Sequence, residues 1–202
     1  MAIDGLGDTV VSASARKAGG FTLIELMVTV AVLAVLAGLA APSFSNLINS
    51  NRLTGAANDL VAAFQVARME AIRRGERVVI CPSTDGLVCN GTEWSRLIVF
   101  SDSNGNHQVN APSDVVLRDI TLAGSGISVN ASTNVKNGHR VRFSPNGFAW
   151  MGTAGNNQQG AISVCSTKLP VASNTRDVHI AISRVSVRTR NGTAQCTAPS
   201  DS

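Results

Sequence analysis

The longest uninterrupted apolar run lies near the start of the chain, where residues 21–41 read FTLIELMVTVAVLAVLAGLAA with Glu25 as the single charge. At about 1.5 Å of rise per residue, such a helix is roughly 30 Å long, enough to cross the hydrocarbon of a bilayer. The pattern therefore predicts a membrane-spanning helix over residues 21–42. Past Pro42 the period changes: Leu47, Ile48, Leu53, Ala57, Leu60, Val61, Phe64 and Ile72 recur at three- and four-residue steps. That spacing predicts an amphipathic continuation over 43–75, its stripe packed on the chain's own sheet. Arg73 and Arg74 form a basic last turn and Gly75 a stop. From Arg77 onward, short apolar or alternating runs are separated by Gly, Asn, Ser, Asp and Pro, the texture of β-structure. Strands are expected at 78–81, 97–100, 115–122, 140–144, 160–165 and 178–190. With no helical segments between them, these runs point to antiparallel hairpins in one β-rich domain over 76–202. The fold class is α+β, a long N-terminal membrane-spanning helix packed on a small antiparallel sheet or sandwich.

The first twenty residues are polar and carry Arg16 and Lys17 just before Gly19 and Gly20. Positive charge on that side of the span places residues 1–20 in the cytoplasm and everything after Pro42 across the membrane. Ala40 and Ala41 keep a conventional signal-peptide cleavage open, although the run is long for a signal and the helical pattern continues past it. Glu25 needs a partner, because an ionised carboxylate in hydrocarbon costs on the order of 3 kcal/mol. One reading is a near-interface acid reaching for headgroups. The other is an ion pair with the α-amine released if the chain is cut between Gly20 and Phe21, its own or a neighbour's.

The segment GG-FTLIEL, followed by a membrane helix and a Pro, resembles the class III leader and N-terminal helix of type IV pilins. The resemblance implies that a prepilin peptidase removes residues 1–20 after Gly20 and that Phe21 becomes an N-methylated terminus. It also makes Glu25 the acid that guides assembly with other pilins, and Pro42 a helix kink, as a missing N–H inside a helix requires. Further on, VVICPSTDGLVC, WSRLIVFSDSNGN, DVVLR and HRVRFSPNGF follow in order. Behind such a leader they resemble the FimT/GspH family of minor pilins and pseudopilins, over roughly residues 17–190. A member of that family is a single-pass protein of the bacterial inner membrane with its C-terminal domain in the periplasm. It is a subunit of a type IV pilus or of a type II secretion pseudopilus.

The chain has 202 residues, 44% apolar and 15% charged, which bounds it to one modest domain and excludes a large multidomain enzyme. Its net charge of +4 is unevenly placed, since residues 136–202 hold eight Lys or Arg against Asp177 and Asp201. All four cysteines, Cys81, Cys89, Cys165 and Cys196, lie in the exported part, where thiols pair. Three connectivities are open. The compact loop containing Pro82 and Asp85-Gly86 favours Cys81 with Cys89, leaving Cys165 to tie down the end of the chain through Cys196. A zinc site is disfavoured because close CxxC pairs are absent. Asp102, Asn104 and Asn106 match the opening of an EF-hand loop, but His107 stands where Gly is needed and Ser113 where Glu is needed. An Asn-Gly hairpin turn accounts for them more simply. His107, His139 and His179 are scattered, no nucleophile–base pair or phosphate loop is visible, and no enzyme, cofactor or metal is expected.

Arg184, Arg188 and Arg190 are an even number of residues apart, so a regular strand points all three to one face. Arg176 shares the parity, and Lys136, Arg140 and Arg142 would extend the stripe if their strands adjoin. Such a stripe holds phosphates without reading bases, as duplex DNA binding requires; its plainer reading is a solvated edge strand. Val187-Arg188-Thr189-Arg190 also resembles the GRxR motif that some FimT-like minor pilins carry and that is associated with DNA uptake, with Val187 in place of Gly. Three functions follow: a structural minor pilin or pseudopilin with a DNA-contacting stripe, a dedicated DNA-binding pilin for natural transformation, and a GspH-like secretion subunit with no DNA role.

Overall fold

The computed structural model describes residues 20–122, 124 and 126–202, with backbone alone at 41 and 42. The expected leader before Gly20, with Arg16 and Lys17, lies outside the described residues. Helix α1, Leu23–Arg74, runs from one compact unit, residues 1–42, into a second, 43–202.

In the first unit the helix opens with Thr22, whose hydroxyl accepts the Glu25 backbone N–H at 3.3 Å. This is half of a capping box, with Glu25 in the first turn, where the helix dipole favours a carboxylate. Every residue from 20 to 40 is exposed, Leu23 by 77% and Leu39 by 72%. A helix apolar all round belongs in lipid or among other such helices, and α1 is long and apolar enough to cross a membrane. The kink expected at Pro42 falls where only helical backbone is described.

In the second unit, the remainder of α1 buries Leu53, Ala57, Leu60 and Phe64 in the core. Of the expected stripe, Leu47, Ile48 and Ile72 are exposed instead, and Ala56, Ala63, Ala67 and Ala71 complete the buried seam. Small residues let helix and sheet backbones approach closely, a signal that a large-residue periodicity overlooks. Gly75 ends the helix at φ +68°, its N–H bonded to Ala71 O.

Two sheets complete this unit, with every strand pair antiparallel. The first contains β1 (Arg77–Pro82), β2 (Arg96–Asp102), β3 (Val116–Thr121), β5 (Val141–Phe143) and β6 (Ala149–Met151), in the order β3-β2-β1-β5-β6. The second contains β4 (Ile127–Ala131), β7 (Gly160–Ser166), β8 (Thr175–Ile180) and β9 (Val185–Arg190), in the order β4-β7-β8-β9. One core holds the inner faces of both and the helix: Phe64, Val78, Leu97, Phe143, Ile162 and Val178 all belong to it. Phe64 and Phe143 meet with ring centroids 6.4 Å apart. Arg68 lies 5.3 Å over the Phe143 ring and donates to Ser183 O at 2.8 Å, tying the helix to the β8–β9 turn.

Three expectations are corrected. The single strand expected over 178–190 is a hairpin, β8 and β9, turned at Ala181–Arg184 and closed by Ala181 N–H to Arg184 O at 2.9 Å. Strands β4 and β6 escaped the sequence reading, being short and abutting Gly126 and Gly152, and a one-turn helix α2 (Thr133–Lys136) sits between β4 and β5. Asn104-Gly105 does not close a tight hairpin, for a long loop joins β2 to β3. In it Asn104 and Asn106 both donate to Asn110, and Asp102 accepts the His107 N–H.

Candidate functional site

The residues expected at a leader-cleavage site lie together around the start of α1. Gly20 and Phe21 are exposed, Phe21 by 81%, and Glu25 is the one charged side chain between Phe21 and Leu39. Gly20 and Phe21 precede the first helical residue, Leu23, so their peptide bond lies outside the helix. The carboxylate lies one helical turn further on.

The arginine stripe is divided by the hairpin. Strand β9 is an edge strand, and Asp177 pairs with Arg188 and His179 with Ser186 across it. Val178 and Ile180 point into the core, so Asp177, His179, Ser186, Arg188 and Arg190 share the outer face. Arg190 is engaged there: its guanidinium meets the buried Asp177 carboxylate at 2.5 Å and donates to Thr197 O at 3.2 Å. Arg184, in the turn, and Arg188, on the strand, are exposed and make no hydrogen bond or ion pair among the described residues. Both line a cleft of about 160 Å³ with His179, Ser186, Asp201 and Ser202. Burial, then the field of Arg188, holds the His179 imidazole below its ordinary value, with Asp177 opposing. That imidazole is therefore neutral at pH 7, and the cleft sets the two guanidiniums against the Asp201 carboxylate.

Arg176 does not extend the stripe. It pairs in register with Thr189 on the inner side and donates to Ser173 O and Thr175 O. Arg142 belongs to β5 of the other sheet, Arg140 directly precedes that strand, and Lys136 is in α2. Counting parity through residue 184 fails because the chain turns back there.

The structure joins Cys81 to Cys89 and Cys165 to Cys196. The second bridge pins the tail after β9 across the outer face of its sheet, where Asn130 donates to Cys196 O at 2.8 Å and Asp201 accepts the Asn134 N–H at 2.9 Å. The first closes a loop in which Asp85 accepts the N–H groups of Leu87 and Val88, holding its carboxyl below the usual range. No group of three or more His, Cys, Asp or Glu side chains stands close enough to hold a metal among the described residues.

One constellation escaped the sequence reading altogether. Arg142 pairs with Val79 on β1 and with Trp150 on β6, and Arg77 precedes Val79 by two residues. Pairing across three strands thus sets Arg77, Arg142 and Trp150 on the outer face of the five-stranded sheet. Each lies on a different strand, so no periodicity reveals the cluster.

Comparison with known proteins gives this geometry a family. The profile described as Type II transport protein GspH matches residues 56–186, and the prokaryotic N-terminal methylation motif matches residues 15–41. Prepilin peptidase-dependent protein A of Clostridium perfringens is 30% identical over 137 residues, 64% of this chain and 86% of that protein. A fimbrial protein of Pseudomonas aeruginosa is 38% identical over 96 residues, 43% of this chain and 62% of its own length. In fold, the crystal structure of the Pseudomonas aeruginosa type IV minor pilin FimU superposes with a TM-score of 0.51 at 19% identity, covering 75% of this chain and 95% of that one. With a GspH profile spanning most of the β-domain behind an N-terminal methylation motif, the chain belongs to the GspH/FimT-like family of type IV pilin-like subunits.

Proposed function

We propose that the chain is a minor subunit of a type IV pilus or type II secretion pseudopilus. It is inserted in the inner membrane with residues 43–202 in the periplasm, cut by prepilin peptidase between Gly20 and Phe21, and methylated at Phe21. The supporting observation is the first stretch of α1, from Leu23 to residue 40, which is exposed and apolar on every side, begins three residues after Gly20 and carries Glu25 as its sole charge. Other pilins or pseudopilins of the filament cover that helix once it leaves the lipid. Gly20→Val places a branched side chain beside the scissile bond and is expected to leave the full-length precursor in the membrane. The test is an immunoblot beside wild type, and a band of mature size in the variant overturns the assigned cleavage site.

A second reading, contact with duplex DNA, is favoured by the exposed Arg184 and Arg188 on an unpaired strand edge. Arg190 contributes less, since Asp177 already neutralises it. Across a salt series with the full chain in neutral detergent, Arg188→Ala is expected to weaken duplex binding and to lower the slope of log affinity against log salt by about 0.9, one phosphate contact. Binding and slope equal to wild type would leave the subunit structural, with Arg188 a charged guard on a sheet edge.

A further inference from the structure

We infer that the outer face of the five-stranded sheet carries a binding site for a phosphoryl group attached to a ring, as in a sugar phosphate or a nucleoside monophosphate. The site is a cleft of about 260 Å³ lined by Arg77, Arg142, Ser144, Trp150 and Gly155. It lies on the opposite sheet from Arg188 and does not depend on the DNA reading.

Strand pairing builds it. Arg142 sits between Val79 and Trp150 in register, and continuing the β1–β5 register brings Ser144 opposite Arg77. Two guanidiniums, a hydroxyl and an indole therefore converge from three neighbouring strands. The guanidinium of Arg142 is held in place: it donates to Gly155 O at 2.7 Å and lies 3.1 Å from His107 Nε2. Gly155, at φ +61°, has no room for a side chain because that guanidinium occupies the space. Arg77 lies over Gly105 in the same way and makes no hydrogen bond or ion pair among the described residues. One cation is thus fixed and the other is free to close on a ligand.

The charge around the cleft is uncompensated. Burial, then the fields of Arg77 and Arg140, push the Arg142 guanidinium below its usual value, with Asp102 opposing. The acid facing this group is Asp102, which stands opposite Arg77 in the β1–β2 register. Its carboxylate is buried, accepts the His107 N–H at 3.2 Å, and forms no ion pair with Arg77. Asp102 Oδ1 has no hydrogen-bond partner among the described residues. His107 adds no charge at neutral pH, because burial and Arg140 hold its imidazole below the ordinary range. Two guanidiniums in the cleft, with Arg140 acting from beside it, against one buried carboxylate leave a net positive concavity, which an oxyanion with two or more acceptor oxygens satisfies. Trp150 is half-buried at the rim and supplies a flat apolar wall for the ring that bears the phosphate.

The test uses the full chain in neutral detergent at low ionic strength, titrated with inorganic phosphate, a hexose 6-phosphate, thymidine 5′-monophosphate and unphosphorylated hexose. Binding is read by calorimetry and by tryptophan fluorescence; Trp94 is buried in the core, so a change reports Trp150. Both ring phosphates or one of them are expected to bind more tightly than inorganic phosphate, and hexose not to bind; the tighter of the two identifies the source. Arg77→Ala removes an exposed side chain with no structural bonds and is expected to weaken phosphate binding about tenfold, the worth of one charged hydrogen bond. Trp150→Ala is expected to abolish the preference for a ring while inorganic phosphate still binds. Arg188→Ala is expected to change nothing here. Absence of binding by every phosphate, or equal binding in Arg77→Ala, overturns the site. Binding of inorganic phosphate alone overturns its ring specificity.

Discussion

Glu25→Ala is expected to keep the protein in the membrane and out of the filament. The span loses its only charge, so insertion becomes more favourable. The helix start survives, because the bond that caps it runs from the Glu25 backbone N–H to the Thr22 hydroxyl and does not use the carboxylate. What remains to be lost locally is the attraction of a first-turn carboxylate to the helix dipole, about 0.3–1 kcal/mol. The larger loss falls on assembly. Among packed apolar helices, the α-amine of Phe21 freed by cleavage needs an acid, and removing one partner of a buried ion pair costs about 3–5 kcal/mol. Incorporation is therefore expected to fall about a hundredfold or more, measured as the ratio of sheared filament fraction to membrane fraction on an immunoblot. Glu25→Gln should fail in the same way although it keeps the size and polarity of the side chain, which separates charge from shape. Filament levels equal to wild type in Glu25→Ala would remove this residue from assembly.

The two ends of the molecule were legible in the sequence to different degrees, for a physical reason. A membrane helix is a one-dimensional object: the run 21–41 and its lone acid state a candidate span without any partner strand. The second stretch of α1 was half readable, because large residues announce a stripe while Ala63, Ala67 and Ala71 bury silently. The β-domain yielded its class and most strands. It did not yield the turn at Ala181–Arg184, where no Asn-Gly or Pro-Gly marks the reversal and Val185 continues the apolar alternation. That one missed turn carried Arg176 to the wrong face and hid the use Asp177 makes of Arg190. Cross-strand neighbours such as Arg142 and Trp150 are fixed by pairing, which depends on contacts far apart in the chain. The groups that depend on strand order, including the cleft at Arg77, were therefore visible only once the sheets were assembled.

Removing the second disulfide should cost the β-domain more than removing the first. Cys165 and Cys196 are 31 residues apart in sequence, Cys81 and Cys89 only 8. In the loop-entropy account the longer closure restrains the unfolded chain by roughly 3.5 kcal/mol and the shorter by about 2.5 kcal/mol. The native contacts push the same way. Cys165 is fully buried on β7, an interior strand of its sheet, and Cys196 is 4% exposed. Release of the tail also strips Arg190 of its Thr197 partner, leaving it to Asp177 alone. Cys165→Ser with Cys196→Ser is thus expected to lower the melting temperature of the β-domain by about 7–14 °C, and Cys81→Ser with Cys89→Ser by about 5–10 °C. Hydrogen exchange should separate the causes: in the first double variant the amides at positions 196 and 197, bonded within the tail to Thr193, lose protection. The Val164 and Val178 amides, in the paired strands β7 and β8, keep theirs. A smaller melting shift for the Cys165–Cys196 pair than for Cys81–Cys89 would mean that the tail is held by its hydrogen bonds and the disulfide adds little.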